Sequence, residues 1–329
     1  MQVDILALNE AIKKDSQFVE RAFLEVSKVV VGQREMLEGI LMGMLTGGHV
    51  LIEGVPGLAK SLTISTMAKA ISLNFQRIQF TPDLLPTDLI GTMIFNPKTG
   101  EFVPRKGPIF TNIVLADEIN RAPAKVQSAL LESMAERQVT IGDTTYPLER
   151  PFLVLATQNP LEQEGTYPLP EAQMDRFMFK IIVTYPKKDE EMQILNKMST
   201  DSLPEIQTVI TRDELLKAKE RSDQVYVDEK IKSYIVEIVM TTRHPEKYGM
   251  ANLATLVKVG GSPRATISLT RAAKAHAFIR SRGYVTAEDI KAVAYNVLRH
   301  RLILTYEAEA ENITTDEVIK DILNHIEVP

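Results

Sequence analysis

The residues from Gly54 to Ser61 constrain the fold of this chain more than any other segment. They read Gly-Val-Pro-Gly-Leu-Ala-Lys-Ser, follow the apolar residues Val50, Leu51 and Ile52, and precede an apolar stretch of helical periodicity. A strand, a glycine-containing turn, a Lys-Ser pair and a helix together predict a phosphate-binding loop. Backbone N–H groups in such a loop point at one oxyanion, and the helix adds the positive end of its dipole.

The residue types within the loop suit this chemistry. Gly54 and Gly57 can adopt positive φ, Lys60 can neutralise the β- and γ-phosphates, and Ser61 can ligate Mg²⁺. Ala59 stands where the general pattern has glycine. Alanine is small enough for helical φ and ψ, so we expect phosphate binding to survive. The alternative is a glycine-rich turn that happens to lie near a lysine.

Length, charge and composition narrow the class of protein. A chain of 329 residues favours two domains. The net charge of −5 argues against a global basic surface for nucleic acid. With no cysteine, disulfides, zinc-thiolate sites and thiol catalysis are excluded. We expect no membrane span and, since the N-terminal segment lacks the unbroken apolar core of a signal peptide, a cytoplasmic location.

The apolar pattern predicts an α/β domain followed by an all-α domain. An amphipathic helix is predicted over 4–29, and another over 34–45. Short buried strands, mostly separated by helices, predict a five-stranded parallel sheet covered on both faces; they lie at 50–53, 76–80, 113–116, 152–156 and 178–183. Beyond residue 185 only helices are predicted, at 190–198, 213–221, 228–244, 263–282, 287–299 and 314–326. We therefore place the α/β domain at 1–185, including the N-terminal helix, and a helical domain at 186–329.

Two inserts interrupt the α/β pattern, at 81–110 and 136–150. The first is predicted to contain a helical turn at 84–89 and a hairpin about 96–100. The second is predicted to be a hairpin over 138–148 that turns at Gly142-Asp143. Long inserted connections are often functional; the alternative is a solvated elaboration without a role.

Polar residues follow two of the predicted strands. Asp117 and Glu118 end the third strand, at the edge of an α/β sheet where ligands bind. Asp117 is placed to hold Mg²⁺ through its water shell and Glu118 to polarise an attacking water. Asn159 emerges one strand away and could orient water or sense the γ-phosphate. The alternatives are a solvated acidic strand end and an ordinary turn residue.

Arg176, just before the fifth strand, is predicted to reach the nucleotide of a neighbouring subunit as an arginine finger. Arg121 is a competing candidate and Arg150 a weaker one. The alternative for Arg176 is a local salt bridge with Glu171 or Asp175.

Arg264 lies in the first turn of a helix that Ser262 and Pro263 are expected to begin. A helix dipole disfavours a cation there, and a bound phosphate would reverse that effect. Arg264 is therefore a candidate nucleotide contact, with a solvated surface arginine as the alternative. The histidines show no metal-ligand spacing.

The segments GVPGLAKS, LADEINRAP, ATQNP, LPEAQMDRF and GGSPRA, in this order, resemble the MoxR family of AAA+ ATPases. The resemblance covers nearly the whole chain, and Ala59 is typical of the family. It implies an α/β core of the P-loop NTPase (AAA+) class with a C-terminal all-α lid, and a nucleotide between them.

The resemblance also implies roles by position. Lys60, Glu118, Asn159 and Arg176 would be catalytic, with Asn159 as the first sensor and Arg176 as the finger. Ser61 and Asp117 would hold Mg²⁺. ATP would be bound by Val31, Gly32, Gly54, Val55, Pro56, Gly57, Leu58, Ala59, Lys60, Ser61, Leu62 and Arg264, with Val31 and Gly32 at adenine and Arg264 as the second sensor.

The implied function is Mg²⁺-dependent ATP hydrolysis by a homo-hexameric ring that acts as a chaperone-like remodeller of protein complexes. The inserts would face the central pore, and a partner would bear a von Willebrand factor A domain. One alternative is a slow nucleotide-binding switch. Another is a nucleic-acid translocase, supported only by Lys98, Arg105 and Lys106 and opposed by the acidic net charge.

Overall fold

The computed structural model describes residues 4–160, 165–199 and 204–329. Its α-helices there are α1 (Ile5–Asp15), α2 (Phe18–Ser27), α3 (Arg34–Thr46), α4 (Lys60–Ala70), α5 (Pro86–Ile90), α6 (Ala124–Glu136), α7 (Glu171–Met174), α8 (Lys188–Met198), α9 (Arg212–Asp223), α10 (Glu229–Arg243), α11 (Pro263–Ile279), α12 (Ala287–Leu298), α13 (Tyr306–Ala310) and α14 (Thr315–His325). The strands are β1 (His49–Glu53), β2 (Phe75–Gln79), β3 (Gly91–Asn96), β4 (Glu101–Lys106), β5 (Ile113–Asp117), β6 (Gln138–Ile141), β7 (Thr144–Pro147), β8 (Leu153–Gln158), β9 (Phe177–Ile182), β10 (Val257–Val259) and β11 (Ile303–Leu304).

The chain forms two compact units, whose limits differ from the predicted domain boundaries. One unit is Phe18–Leu216, and the other combines Met1–Gln17 with Lys217–Pro329. The first unit extends past residue 185 because the N–H of Gln207 donates to Glu25 Oε1 (2.8 Å) and that of Val209 to the carbonyl of Ala70 (2.7 Å).

The N-terminal helix belongs with the helical unit rather than with the α/β unit. The N–H of Gly283 donates to Asn9 Oδ1 (2.9 Å), and the hydroxyls of Ser16 and Ser281 are 2.9 Å apart. The single helix predicted for 4–29 is wrong, because α1 ends at its C-cap Ser16 and α2 starts at Phe18.

The α/β unit is built on a parallel sheet in the order β2-β5-β8-β1-β9. All five predicted strands are confirmed. The central strands β5 and β8 pair in register from Ile113↔Leu153 to Ala116↔Ala156, and β1 joins β8 on its other side. Because parallel strands share one carboxyl edge, Asp117 and Gln158 end side by side, next to the loop that leaves β1.

Both predicted insert structures are confirmed. The helix α5 precedes the antiparallel pair β3–β4, and β6–β7 form the second hairpin. Gly100 (φ 72°) and Gly142 (φ 60°) supply the left-handed backbone that the two turns require. At the outer end of β3–β4, the cross-strand pair Phe95 and Phe102 is 51% and 65% exposed.

The second unit is mainly helical, and α11 packs against α12. The prediction that strands stop at residue 185 is wrong, because β10 and β11 form an antiparallel ladder that includes Val257↔Leu304. The helix predicted at 287–299 is confirmed as α12, and it begins with a capping box in which Asp289 accepts from the N–H and the hydroxyl of Thr286.

Candidate functional site

The loop between β1 and α4 contains two glycines that are required for different reasons. Gly57 has φ of 87° and nothing lies within 4 Å of the place where a Cβ would be, so this bend opens toward empty space. Gly54 does not adopt positive φ, contrary to the prediction. A Cβ at Gly54 would instead lie 2.7 Å from the carbonyl oxygen of Val183, so glycine is needed for this close approach.

Ala59 adopts the left-handed conformation (φ 53°, ψ 23°) at the N-cap of α4. The expectation of right-handed helical angles at this position is therefore wrong. Left-handed backbone costs an L-residue about 1–2 kcal/mol, which explains why glycine is the general choice here. The carbonyl of Ala59 is held by Thr63, whose N–H and hydroxyl both donate to it at 2.9 Å.

A cavity of about 530 Å³ adjoins the loop. Its wall is formed by Pro56, Gly57, Leu58, Ala59, Lys60, Ser61, Leu62, Arg77, Asp117, Glu118, Asn159, Ile194 and Met198. Lys60 Nζ donates to the carbonyl of Gly54 (2.7 Å). Burial lowers the pKa of Lys60, and the carboxylates of Asp117 and Glu118 oppose that shift. The lysine thus faces both acids across the cavity.

Asp117 is a buried carboxylate (9% exposed) with a partner on each oxygen. Its Oδ1 accepts from the hydroxyl of Thr157 (2.5 Å), and its Oδ2 accepts from Arg77 (2.9 Å to Nε, 2.7 Å to Nη2). Mg²⁺ prefers oxygen ligands and is usually held by one or two carboxylates together with substrate phosphates. Asp117 and Ser61 on one cavity wall fit such an ion. Among the residues that the structure describes, no cluster of three or more acidic, histidine or cysteine side chains could hold a metal alone.

Glu118 also has a left-handed backbone (φ 56°, ψ 52°). Its N–H donates to the hydroxyl of Thr157 (2.8 Å). Its Oε2 accepts from Gln79 Nε2 (2.9 Å) and from Arg121 Nη1 (3.0 Å). Arg77 Nη2 in turn donates to Gln79 Oε1 (2.8 Å). One hydrogen-bonded network therefore joins both acids. Arg121, the competing candidate for the arginine finger, is part of it and binds Glu118 of its own chain.

Sequence reasoning missed five residues of this site. Arg77 and Gln79 alternate along β2, so period-2 spacing would have placed them on one face of the strand. Thr157 lies inside the quoted segment ATQNP. Ile194 and Met198 are one helical turn apart on α8 and add apolar surface to the cavity.

The structure places Asn159 at the site, where it is buried and lines the cavity.

Arg176 is exposed and lies outside the cavity wall. Its Nη1 donates to the carbonyl of Leu131 on α6 (3.1 Å). In the described part of the chain Arg176 forms no ion pair, so the alternative of a salt bridge with Glu171 or Asp175 is not supported.

The segment Val31-Gly32 lies between α2 and α3, in the same unit as the loop. Gly32 has φ of 67°, and a Cβ there would lie 2.7 Å from Glu190 Oε1 on α8. The segment therefore contacts the helix that carries Ile194 and Met198. Arg264 belongs to the other unit, where its N–H donates to the N-cap hydroxyl of Ser262 (3.2 Å) as predicted.

Two family models match the chain. A model described as "ATPase family associated with various cellular activities (AAA)" matches residues 49–179, and one described as "AAA lid domain" matches residues 251–322. The first covers four strands of the sheet, the start of β9 and the cavity residues from the loop to Asn159. The second covers most of the helical unit.

Chaperone MoxR1 of Mycobacterium tuberculosis is 47% identical to this chain over 320 residues, which cover 97% of this chain and 85% of that protein. The chain belongs to the MoxR family of AAA+ ATPases. Protein MoxR of Paracoccus denitrificans is 32% identical over 302 residues, covering 86% of this chain and 88% of that one. A crystal structure of a protein assigned as an ATPase from Cytophaga hutchinsonii superimposes with a TM-score of 0.93 at 52% identity, covering 98% and 99% of the two chains.

Membership of the MoxR family confirms the predicted fold class of an AAA+ core with a C-terminal helical lid. Within the described ranges of the chain, no helix has the length and apolar character to cross a membrane.

Proposed function

We propose that this MoxR-family protein hydrolyses ATP and uses the energy to remodel protein complexes as a chaperone. The observation that carries the proposal is the convergence of Lys60, Asp117, Glu118 and Asn159 on one cavity at the carboxyl edge of the sheet. The names of the relatives support an ATPase and chaperone role. ATP and water would yield ADP and phosphate.

The loop and α4 supply the binding energy for the phosphates in this proposal. Gly57 to Lys60 line the cavity, and nothing lies within 4 Å of the Cβ position of Gly57, so backbone N–H groups of this segment would bind a phosphate at close range. Lys60 would exchange its contact with the carbonyl of Gly54 for the β- and γ-phosphate oxygens. Mg²⁺ held by Ser61 and Asp117 would neutralise charge on those oxygens.

Glu118 is proposed as the group that activates water. Its carboxylate would accept a proton from water as the water oxygen attacks the γ-phosphorus and the bond to the bridging oxygen of ADP breaks. Asn159 would orient that water. In this structure Gln79 and Arg121 both donate to Oε2 of Glu118 and hold the carboxylate in place, so Oε1 is the oxygen proposed to accept the proton.

Adenine is proposed to lie against the apolar surface of α8. Ile194 and Met198 give the cavity an apolar side, and the Val31-Gly32 segment contacts the same helix through Glu190. Arg264 is proposed to contact the nucleotide from the lid as the second sensor.

A homo-hexameric ring is proposed, with Arg176 completing the site of a neighbouring subunit. Arg176 is exposed and lies outside the cavity of its own chain, which supports action in trans. The two hairpins would act on a client protein, and the exposed Phe95 and Phe102 supply apolar contact area for it. We also propose that the protein acts with a partner that bears a von Willebrand factor A domain, and that it is located in the cytoplasm.

Replacement of Glu118 by glutamine tests the hydrolytic role. The amide keeps the size of the side chain but cannot take up the proton, so we expect steady-state ATP turnover to fall by about 10²–10⁴-fold with ATP binding retained. Turnover is measured as phosphate release with and without Mg²⁺. Negligible Mg²⁺-dependent turnover by the wild-type protein, equal to that of Glu118→Gln, would contradict the proposal.

A slow nucleotide-binding switch is the second candidate, and the double hydrogen bond to Glu118 favours it. A switch would hydrolyse one ATP slowly and stay in the ADP form, whereas a remodeller would turn over repeatedly and faster with client present. Single-turnover and steady-state rates measured side by side distinguish them. A nucleic-acid translocase has less support, because Lys106 lies over the rings of Phe110 (4.9 Å) and Tyr146 (5.1 Å).

A further inference from the structure

Thr157 lies at the end of β8, one residue beyond the pair Ala116↔Ala156. It is therefore opposite Asp117, across the two central strands of the sheet. The side chain is 1% exposed and is not part of the cavity wall. Thr157 can thus act on the site only through the groups that it touches.

The hydroxyl of Thr157 makes two hydrogen bonds whose directions are fixed by chemistry. A carboxylate only accepts and a backbone N–H only donates. The single hydroxyl proton therefore goes to Asp117 Oδ1 (2.5 Å), and a lone pair of the same oxygen accepts the N–H of Glu118 (2.8 Å). One atom consequently fixes the side chain of the first acid and the backbone of the second.

The two partners of Asp117 differ in mobility. Arg77, on Oδ2, is 52% exposed and lines the cavity, so it can leave when another cation approaches. Thr157, on Oδ1, is buried and cannot leave. Oδ1 therefore stays bonded to Thr157, and Oδ2 is the oxygen that an incoming cation can take over from Arg77.

The backbone of Glu118 needs such support. Its left-handed conformation is unfavourable for a residue with a side chain and persists only when its surroundings hold it. The hydrogen bond from its N–H to Thr157 is one such restraint, and it sets the direction in which the Glu118 side chain leaves the strand.

We propose that Thr157 is a positioning residue that orients Asp117 toward Mg²⁺ and Glu118 toward the attacking water through one hydroxyl. The inference rests on the proposed hydrolysis of ATP. It predicts that removing the hydroxyl harms the Mg²⁺-dependent part of the function and spares nucleotide binding that does not need the ion.

The test compares Thr157→Val, which keeps the branched shape without the hydroxyl, with Thr157→Ser, which keeps the hydroxyl. Partners one shell away from a metal typically contribute about 10–100-fold to activity or metal affinity. We expect Thr157→Val to lose ATP turnover by that factor and to need more Mg²⁺ for its half-maximal rate. Thr157→Ser should recover most of both. The matched control is Thr241→Val, at a buried threonine whose hydroxyl donates to the carbonyl of Glu237 (2.7 Å).

A binding measurement separates positioning from general damage. The fluorescent, non-hydrolysable analogue mant-AMP-PNP is titrated with and without Mg²⁺. We expect Thr157→Val to bind it as the wild type does without Mg²⁺, within about twofold, and to lose the gain in affinity that Mg²⁺ gives the wild type. Equal losses in the valine and serine variants, a loss of affinity without Mg²⁺, or wild-type behaviour of Thr157→Val would each overturn the inference. If the wild type does not turn over ATP, the proposed function fails, and the binding comparison still decides the role of Thr157.

Discussion

At the scale of single residues, the phosphate-loop region stores backbone strain next to its chemistry. Ala59 and Glu118 are both left-handed, and each is held by a threonine: Thr63 on the carbonyl of Ala59 and Thr157 on the N–H of Glu118. Residues other than glycine rarely adopt this backbone conformation, and strain of this kind is concentrated at functional sites. The strain can be measured by changing the residue at position 59.

Ala59→Gly should not destabilise the protein, although glycine usually does. It removes about 1–2 kcal/mol of left-handed strain and adds about 0.5–1 kcal/mol of chain entropy cost. We therefore expect the free energy of unfolding, from urea denaturation without nucleotide, to stay level or rise by up to ~1.5 kcal/mol. The control Ala135→Gly, on the exposed face of the right-handed helix α6, should lose about 0.5–1 kcal/mol. Equal losses at both positions would refute the strain at Ala59.

His49 should make the α/β unit sensitive to acid. Its Nδ1 accepts from the N–H of Val154 (2.9 Å), so Nε2 carries the proton and donates to the carbonyl of Met134 (3.2 Å). Burial lowers the pKa of His49 from 6.5 to about 4. The unfolded chain therefore binds more protons between these values, and stability is present above pH 6.5 and is lost as the pH falls toward 4.

The expected loss attributable to His49 is about 2 kcal/mol between pH 7 and pH 5. Urea denaturation at both pH values measures it. In His49→Gln, which cannot gain a proton, the difference between the two pH values should shrink by about that amount. An unchanged difference would show that other groups cause the acid sensitivity.

At the scale of elements, the junction between α11 and α12 depends on one buried carboxylate. Asp289 is 0% exposed and accepts from His276 Nδ1 (2.6 Å), from Arg282 (2.7 and 2.6 Å) and from Thr286. Burial alone would raise the pKa of Asp289, but the hydrogen bonds from His276, Arg282 and Thr286 hold it at about 2. One side chain thus joins the last turn of α11, the connecting loop and the first turn of α12.

Asp289→Asn should destabilise the helical unit by about 3–5 kcal/mol, because Arg282 would lose its buried counter-charge. Thermal unfolding followed by circular dichroism measures the change. The matched control is Glu317→Gln at the same position of the capping box of α14, where the side chain is exposed and the loss should be much smaller. Similar losses in both variants would mean that the ion pair of Asp289 with Arg282 contributes nothing beyond the cap.

At this scale, an element could be predicted from the sequence when its apolar pattern was long or regular enough to recognise. The five strands of the sheet are runs of apolar residues such as Ile113 to Ala116, and burial on both faces makes such runs conspicuous. The break between α1 and α2 at Ser16 and the ladder of β10 with β11 were missed, because neither leaves a periodic signal. The ladder strands have three and two residues, fewer than periodicity can register.

At the scale of the whole molecule, the proposed ring would complete each site with Arg176 of another subunit. The loop, the acids and Asn159 could be predicted because each follows a strand at one sheet edge. The contacts of Arg77, Gln79 and Thr157 could not, because they depend on which strands are neighbours in the sheet, and spacing along one strand does not give that order. Arg176 stays a prediction, since its proposed partner lies on another chain.

Mixing two inactive variants tests sharing of sites. If Arg176 acts in trans, a subunit with Arg176→Ala keeps its own Glu118 and can be completed by the Arg176 of a Glu118→Gln neighbour. In a closed ring with head-to-tail contacts, an equal mixture would place an intact Glu118 beside an intact Arg176 at roughly a quarter of the sites. We therefore expect recovery of roughly a quarter of the wild-type ATPase rate. Phosphate release by equal mixtures, after co-assembly, measures the recovery.

The same experiment distinguishes the finger candidates. Arg121 contacts the Glu118 of its own chain at 3.0 Å, so mixing Arg121→Ala with Glu118→Gln should restore nothing. Recovery in that mixture, and none with Arg176→Ala, would transfer the role of the finger to Arg121.

The two chain segments that form the helical unit determine which fragments of this protein can fold. Because the unit takes α1 from one end of the chain and α10 to α14 from the other, the polypeptide passes between the two units twice, at Gln17–Phe18 and at Leu216–Lys217. A fragment that starts after residue 185 would lack α1, and with it the partners of Ser281, Gly283 and Arg221. An excised lid therefore needs both chain ends joined, as in a circular permutant, and the α/β unit alone is best expressed as residues 18–216.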